Sequence, residues 1–155
     1  MRPDQVTLVP DADDAITSNA GWDTIKHQER LKEIIAGCKN IGVRTSIFVA
    51  PDLKMVEGAA ACGTDRIELY TEAYAHQYSL NPEKAVAPYA AAATLAHELG
   101  LGINAGHDLS LENIEYFAKN VPNLAEVSIG HALICEALYQ GLETVIQSYL
   151  KKLAP

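Results

Sequence analysis

An α/β fold built on a parallel sheet is predicted for this 155-residue chain by three features. Short β-branched or apolar runs alternate with longer helical stretches. The runs stop at Gly, Pro or a polar residue. Polar residues then collect where the runs end, the rim at which parallel α/β folds place their sites. Alternation of this kind packs helices on the outside of a parallel sheet.

The first strand is Val6-Thr7-Leu8-Val9, stopped by Pro10. The helix that follows is expected over Thr24 to Asn40, where Ile25, Leu31, Ile34 and Ile35 fall at helical spacing. The second strand is Val43 to Val49, stopped by Pro51. Asp52 is the expected N-cap of a helix to Cys62, and Gly63 its C-cap. Arg66 to Thr71 forms the third strand. Asn81-Pro82 opens a long helix to Leu99, stopped by Gly100. Gly102 to Ala105 is the fourth strand, ended by Gly106, and Ser110 caps a helix through Asn120. Glu126 to Ile129 is the fifth strand, ended by Gly130. A single helix from Ala132 to Leu153 is expected to be the last and longest. The sum is five strands and five helices in one domain, with no linker or low-complexity segment.

Composition bounds the function. Apolar residues make up 48% and charged residues 21%, as in ordinary globular proteins and unlike disordered chains. The net charge of −8 argues against a nucleic-acid partner, which needs a basic patch. A small phosphorylated metabolite stays open, because backbone N–H groups and helix N-termini hold anions without net positive charge. The longest weakly polar stretch, Ala85 to Ala96, is broken by Pro88, so no membrane span is expected. No basic-then-apolar leader opens the chain, and a cytoplasmic protein is expected. Cys38, Cys62 and Cys135 form no CxxC pair and read as small buried hydrophobes in a reducing compartment.

Two closures of the sheet compete: a doubly wound open sheet and a (β/α)8 barrel. A barrel has about 30 residues per unit and ≈ 250 in all. Five units in 155 residues match that unit length and leave roughly three units outside this chain. As a barrel, these would be its C-terminal part. Two open edges and an apolar inner face are then expected, and with them a tendency to associate.

Glu68 lies between Ile67 and Leu69 and therefore faces away from both. A carboxylate in a strand covered on both faces is either paired, with Arg44 on the adjacent strand, or used in chemistry; burial raises its pKa. Two strands end in Gly-His, at Gly106-His107 and Gly130-His131. Gly lets a backbone approach an anion, and the helix that Gly130 and His131 open would favour a phosphate through its dipole. The alternative for Gly130 is a tight turn, and for His107 an exposed helix N-terminus. His27, His76 and His97 read as surface residues, and Tyr70, Tyr74, Tyr78 and Tyr89 as packing residues. No metal motif, GxGxxG or Walker sequence occurs, so neither a metal nor a nucleotide site is expected.

RPDQVTLVPD followed by TSNAGWD, then IGVRTSIFVAPD, GTDRIELYTEAYA, GLGINAGHDLSLENI and EVSIGHALICEAL, closely resemble pyridoxine 5′-phosphate synthases. The resemblance runs over essentially the whole chain, but over only the C-terminal two-thirds of the family's barrel. It implies a (β/α)8 barrel enzyme, a transferase of vitamin B6 and pyridoxal phosphate biosynthesis. Such enzymes condense 1-deoxy-D-xylulose 5-phosphate with 3-amino-2-oxopropyl phosphate, without metal or organic cofactor, and assemble as homo-oligomers. By the same resemblance His107 is the proton donor and Glu68 stabilises a transition state. Thr17 contacts the deoxyxylulose phosphate. Asp108, chiefly through its backbone N–H, and Gly130-His131 bind the aminoketone phosphate.

The family's first three strands carry its two general bases, and no counterpart lies in this chain. The chain alone is therefore expected to be inactive, since repeated proton shuttling needs several groups with pKa values near neutrality. Two alternatives remain beside the enzyme: a non-catalytic phosphate-binding or assembly piece, and another phosphate-metabolite barrel enzyme. The second would show a Schiff-base lysine at a strand end, whereas Lys54, Lys84 and Lys119 fall in predicted helices.

Overall fold

The computed structural model describes residues 2–11, 18 and 20–154. Five strands form one sheet: β1 (Gln5–Leu8), β2 (Arg44–Val49), β3 (Arg66–Tyr70), β4 (Gly102–Gly106) and β5 (Leu124–Ser128). Their spatial order is their chain order, and every pairing is parallel. Between and after them lie α1 (Gln28–Asn40), α2 (Leu53–Ala61), α3 (Glu72–Tyr78), α4 (Pro82–Glu98), α5 (Ile114–Asn120), α6 (His131–Gln140) and α7 (Leu142–Leu153). This is the predicted α/β alternation.

Register separates two faces. Leu8, Ile47, Ile67 and Ile103 line up across β1 to β4, and they pack with Val49, Leu69 and Ala105 against the helices. One residue further on, Phe48, Glu68, Asn104 and Glu126 line up on the opposite face. That second face is polar, carrying Thr7, Arg44, Ser46 and Arg66 as well. The apolar inner face expected from the sequence is therefore corrected. It holds an ion-pair network in place of a hydrophobic core. Arg44 takes part in that network by pairing with Glu126, so the expected Arg44–Glu68 pair does not form.

The polar face is concave. Arg44 Nη2 on β2 lies 2.9 Å from Glu126 Oε1 on β5, and Thr7 Oγ1 on β1 donates to Glu68 Oε2 on β3 at 3.1 Å. In a flat sheet those pairs of strands would stand about 14 and 10 Å apart. The side chains meet because the strands curl around them.

Helix ends follow the predicted caps in two cases. Asp52 Oδ1 accepts from the Lys54 and Met55 amides (2.8 and 3.3 Å), and Asn81 Oδ1 accepts from the Lys84 amide at 2.9 Å. Elsewhere tertiary packing decides. The first helix begins at Gln28, because Thr24 is fully buried and its hydroxyl donates to the Met55 carbonyl at 2.8 Å. The helix expected from Ser110 begins at Ile114, since Asn113 Oδ1 instead accepts the Ser110 amide at 2.9 Å. The last helix is two, broken at Gly141 (φ +84°). Of the three cysteines only Cys62 is buried; Cys38 is half-buried and Cys135 exposed. His27 is half-buried against Trp22 (ring centroids 5.4 Å apart), while His76 and His97 are exposed as expected.

The unexpected helix α3 is too short to show a period, but it anchors the core through Tyr74. That ring is fully buried, and its centroid lies 4.9 Å from that of Phe117 and 5.9 Å from that of Tyr89. Its hydroxyl donates to the Asn113 carbonyl at 2.7 Å, and its amide donates to Tyr89 Oη at 3.2 Å. Tyr89 Oη in turn donates to the Tyr70 carbonyl at 3.0 Å. The tyrosines expected to pack do so, and the hydroxyls of Tyr70, Tyr74 and Tyr89 are hydrogen-bonded.

Candidate active site

Five of the six predicted site residues are described: Glu68 lies in the middle of β3, and His107, Asp108, Gly130 and His131 follow the C-terminal ends of β4 and β5. Thr17 falls outside the described residues. Glu68, His107, Ser128, Ile129, Gly130 and His131 line one cavity of ≈ 440 Å³. His107 and His131 also line its neighbour, of ≈ 410 Å³, together with Asp108 and Ala75.

Glu68 is 8% exposed. Burial pushes its pKa above the ordinary carboxylate value; the Thr7 hydroxyl and the nearby His107 pull it down, and Glu126 pushes it up. The net direction is upward, as the sequence predicts. Thr7 is a partner that the sequence reading missed, although its alternation with Val6 and Leu8 placed it on the same face as Glu68.

His107 follows β4 and sits between two neighbouring strands. Its amide donates to the Ser128 carbonyl of β5 at 3.0 Å. Its ring stands edge-on to Tyr70 and Phe48, with centroids 6.0 and 6.5 Å away. Its Nδ1 lies 3.1 Å from Asp108 Oδ2, a contact that helps to orient the ring. The Asp108 amide donates to Thr71 Oγ1 at 3.2 Å. The backbone of His107 is left-handed (φ +81°), which costs a residue with a side chain about 1–2 kcal/mol. Gly106 is required beside it: a Cβ there would lie 2.2 Å from the Ser128 carbonyl oxygen.

Gly130 is the N-cap of α6, and a side chain placed there would meet open space. The α6 N-terminus, with no side-chain cap, therefore opens beside His131. Tyr70 borders the site but does not titrate near neutrality. Burial first, and then its hydrogen bond to Glu72 (2.9 Å), push its pKa up to about 12. Among the described residues no group of three or more His, Cys, Asp or Glu side chains converges as a metal would require. Nor is any helix among them long and apolar enough to cross a membrane.

An imidazole, a buried carboxylate of raised pKa and a helix N-terminus thus border one cavity. Comparison with known proteins points the same way. The chain is 68% identical over 152 residues to pyridoxine 5′-phosphate synthase of Flavobacterium johnsoniae, covering 98% of this chain and 64% of that protein. It is 66% identical over 153 residues to the synthase of Christiangramia forsetii, covering 99% of this chain and 65% of that one. The synthase of Bacteroides thetaiotaomicron is 59% identical over 149 residues, covering 96% of this chain and 63% of that one. The chain thus spans a little under two thirds of the length of these relatives. Among solved structures, that of the Amycolatopsis orientalis BexX/CysO complex matches with a TM-score of 0.52 at 16% identity, covering 98% of this chain and 59% of that one. That likeness concerns the fold alone. The family described as pyridoxal phosphate biosynthesis protein PdxJ matches residues 1–155, and the chain belongs to it.

Proposed function

We propose that the chain forms five β/α units of a (β/α)8 barrel and contributes the acid and phosphate-binding parts of a pyridoxine 5′-phosphate synthase site. The concave sheet, with β1 and β5 at its edges, supports the barrel reading. One observation carries the function: Glu68 from within β3, His107 after β4, and Gly130 and His131 after β5 line a single cavity.

In this reading the aminoketone phosphate binds at the α6 N-terminus, with its anion on the first-turn amides and His131. Asp108 borders the same space and carries His107 through Nδ1. His107 protonates the hydroxyl that leaves as water when the amine of 3-amino-2-oxopropyl phosphate and the ketone of 1-deoxy-D-xylulose 5-phosphate join as an imine. Elimination of phosphate follows, with a carbon-bound proton passing to a base outside these five units. Glu68, kept protonatable by burial, stabilises charge that develops on the reacting carbonyl. Thr17 contacts the deoxyxylulose phosphate, and the general bases come from strands outside these five units. The enzyme acts in the cytoplasm as a homo-oligomer, a reading that rests on the family and on the absence of disulfides among the described cysteines.

The test is a titration of the ¹⁵N-labelled chain with 3-amino-2-oxopropyl phosphate, glycerol 3-phosphate and inorganic phosphate. Amide shifts are expected to centre on Asp108, Gly130 and His131, with the aminoketone phosphate binding several-fold more tightly than glycerol 3-phosphate. His131→Ala should weaken binding about tenfold, the worth of one charge-assisted hydrogen bond. Shifts elsewhere, or none, would overturn the assignment. Equal affinity for all three ligands would reduce the site to a general phosphate binder.

A further inference from the structure

Both peptide groups flanking His107 are tied to one side chain on the neighbouring strand end. Thr71, fully buried at the N-cap of α3, donates from Oγ1 to the Gly106 carbonyl. The same oxygen accepts the Asp108 amide at 3.2 Å. Between these two bonds sits His107, a residue with a side chain in the left-handed region.

We propose that Thr71 is a positioning residue for His107: its hydroxyl clamps the peptide groups on either side and fixes the imidazole at the mouth of the cavity. This rests on the reading of His107 as the proton donor. A loop needing only the turn would carry glycine at 107 and no strain. The left-handed backbone is kept together with a side chain, and the clamp holds that combination against relaxation.

The surroundings reinforce the clamp. Asn113 Nδ2 donates to the Asp108 carbonyl at 3.3 Å, and the Asn113 carbonyl accepts the Tyr74 hydroxyl. On the other side the His107 amide is held by Ser128 of β5. The loop is thus gripped from the N-caps of α3 and α5 and from β5. Thr71 is the member that touches both neighbours of the imidazole-bearing residue. Its hydroxyl acts as donor and acceptor together, which valine, of the same shape, cannot reproduce.

The experiment compares the wild-type chain with Thr71→Val and Thr71→Ser by NMR, reading nuclear Overhauser contacts from the His107 ring to Tyr70 and Phe48. Thr71→Val should lose both contacts while the Tyr74–Phe117 contacts of the core persist. Thr71→Ser should restore them. Contacts that survive in Thr71→Val, or vanish equally in Thr71→Ser, would overturn the proposal. Should Thr71→Val not fold, wild-type amide exchange decides. The Asp108 amide must exchange at least tenfold slower than an open amide, and free exchange there removes the clamp. Failure of the active-site reading looks different: Gly130 and His131 would ignore inorganic phosphate in a wild-type chain whose His107 contacts are intact.

Discussion

Arg44 and Glu126 meet at 2.9 Å although β3 and β4 lie between their strands. The contact follows from curvature, and it makes Glu126 the shared partner of the ion-pair network on the concave face. Arg66 Nη1 reaches the same carboxylate oxygen at 3.1 Å and donates to Asn104 Oδ1 at 2.8 Å. Asn104 Nδ2 returns to Glu126 Oε2 at 3.4 Å. Two guanidinium groups and an amide therefore converge on one carboxylate, in the same cross-strand row as Glu68.

Glu126→Ala should destabilise the chain by about 1–2 kcal/mol. A single exposed pair contributes about 0.2–1 kcal/mol, but here two cations lose one shared partner. Glu126→Gln, which keeps an acceptor, should cost about half as much. Urea unfolding checks both, and the penalty should shrink in about 0.5 M salt, where screening is stronger. A midpoint unchanged by Glu126→Ala would mean that the curl is held elsewhere.

Glu68 makes stability depend on pH in a fixed direction. Its pKa is raised from the ordinary 4.5, above all by burial, so the folded state holds the proton more tightly than the unfolded chain does. The stability it contributes is complete below that ordinary value and is lost as pH rises through the raised one. Glu68→Gln stays neutral throughout. It should match wild type near pH 4 and become the more stable protein as pH climbs toward 7. Chemical denaturation across that range measures the gap; a gap that stays flat would mean that the carboxylate is not penalised by its surroundings.

What the sequence made legible was local. The β-branched runs, the Asp52 and Asn81 caps and the two Gly-His strand ends each carry their signal within a few residues. Glu68 was legible because a strand's period of two places it opposite Ile67 and Leu69. The rest depended on distant partners. Whether Arg44 pairs with Glu68 or Glu126 is set by how far the sheet curls, and no neighbouring residue records that. Helix α3 buries one large side chain, Tyr74, in seven residues, too little for a periodic pattern. Thr71 reads as a strand end in sequence; its role appears only once Gly106 and Asp108 are brought beside it.

Gly106→Ala should cost about 1–3 kcal/mol, the usual range for overpacking a close-fitted site. The added methyl would meet the Ser128 carbonyl, which is backbone and cannot swing aside. The same carbonyl accepts the His107 amide, so the damage should be felt at the site too. Thermal unfolding reads the first effect, and loss of the phosphate-induced shift at Asp108 the second. A variant as stable as wild type would show that β4 and β5 stand further apart than the geometry requires.

Gly141 stands where the last helical segment folds back on itself. Its backbone (φ +84°, ψ 142°) is open essentially to glycine alone, so Gly141→Ala should cost about 1–3 kcal/mol if the turn is kept. The chain has another way to relieve that strain, the single helix from Ala132 to Leu153 that its apolar spacing also permits. Straightening would separate Tyr149 from Glu136, now hydrogen-bonded at 2.7 Å between α7 and α6, and would expose a tyrosine that is 4% accessible. Losing that burial and that bond costs more than one strained residue, so the turn should persist. Gly141→Ala is expected to unfold at lower urea with no gain in helical circular dichroism at 222 nm. A gain in helical signal at unchanged stability would mean that the two packings lie close in energy, and that glycine alone selects between them.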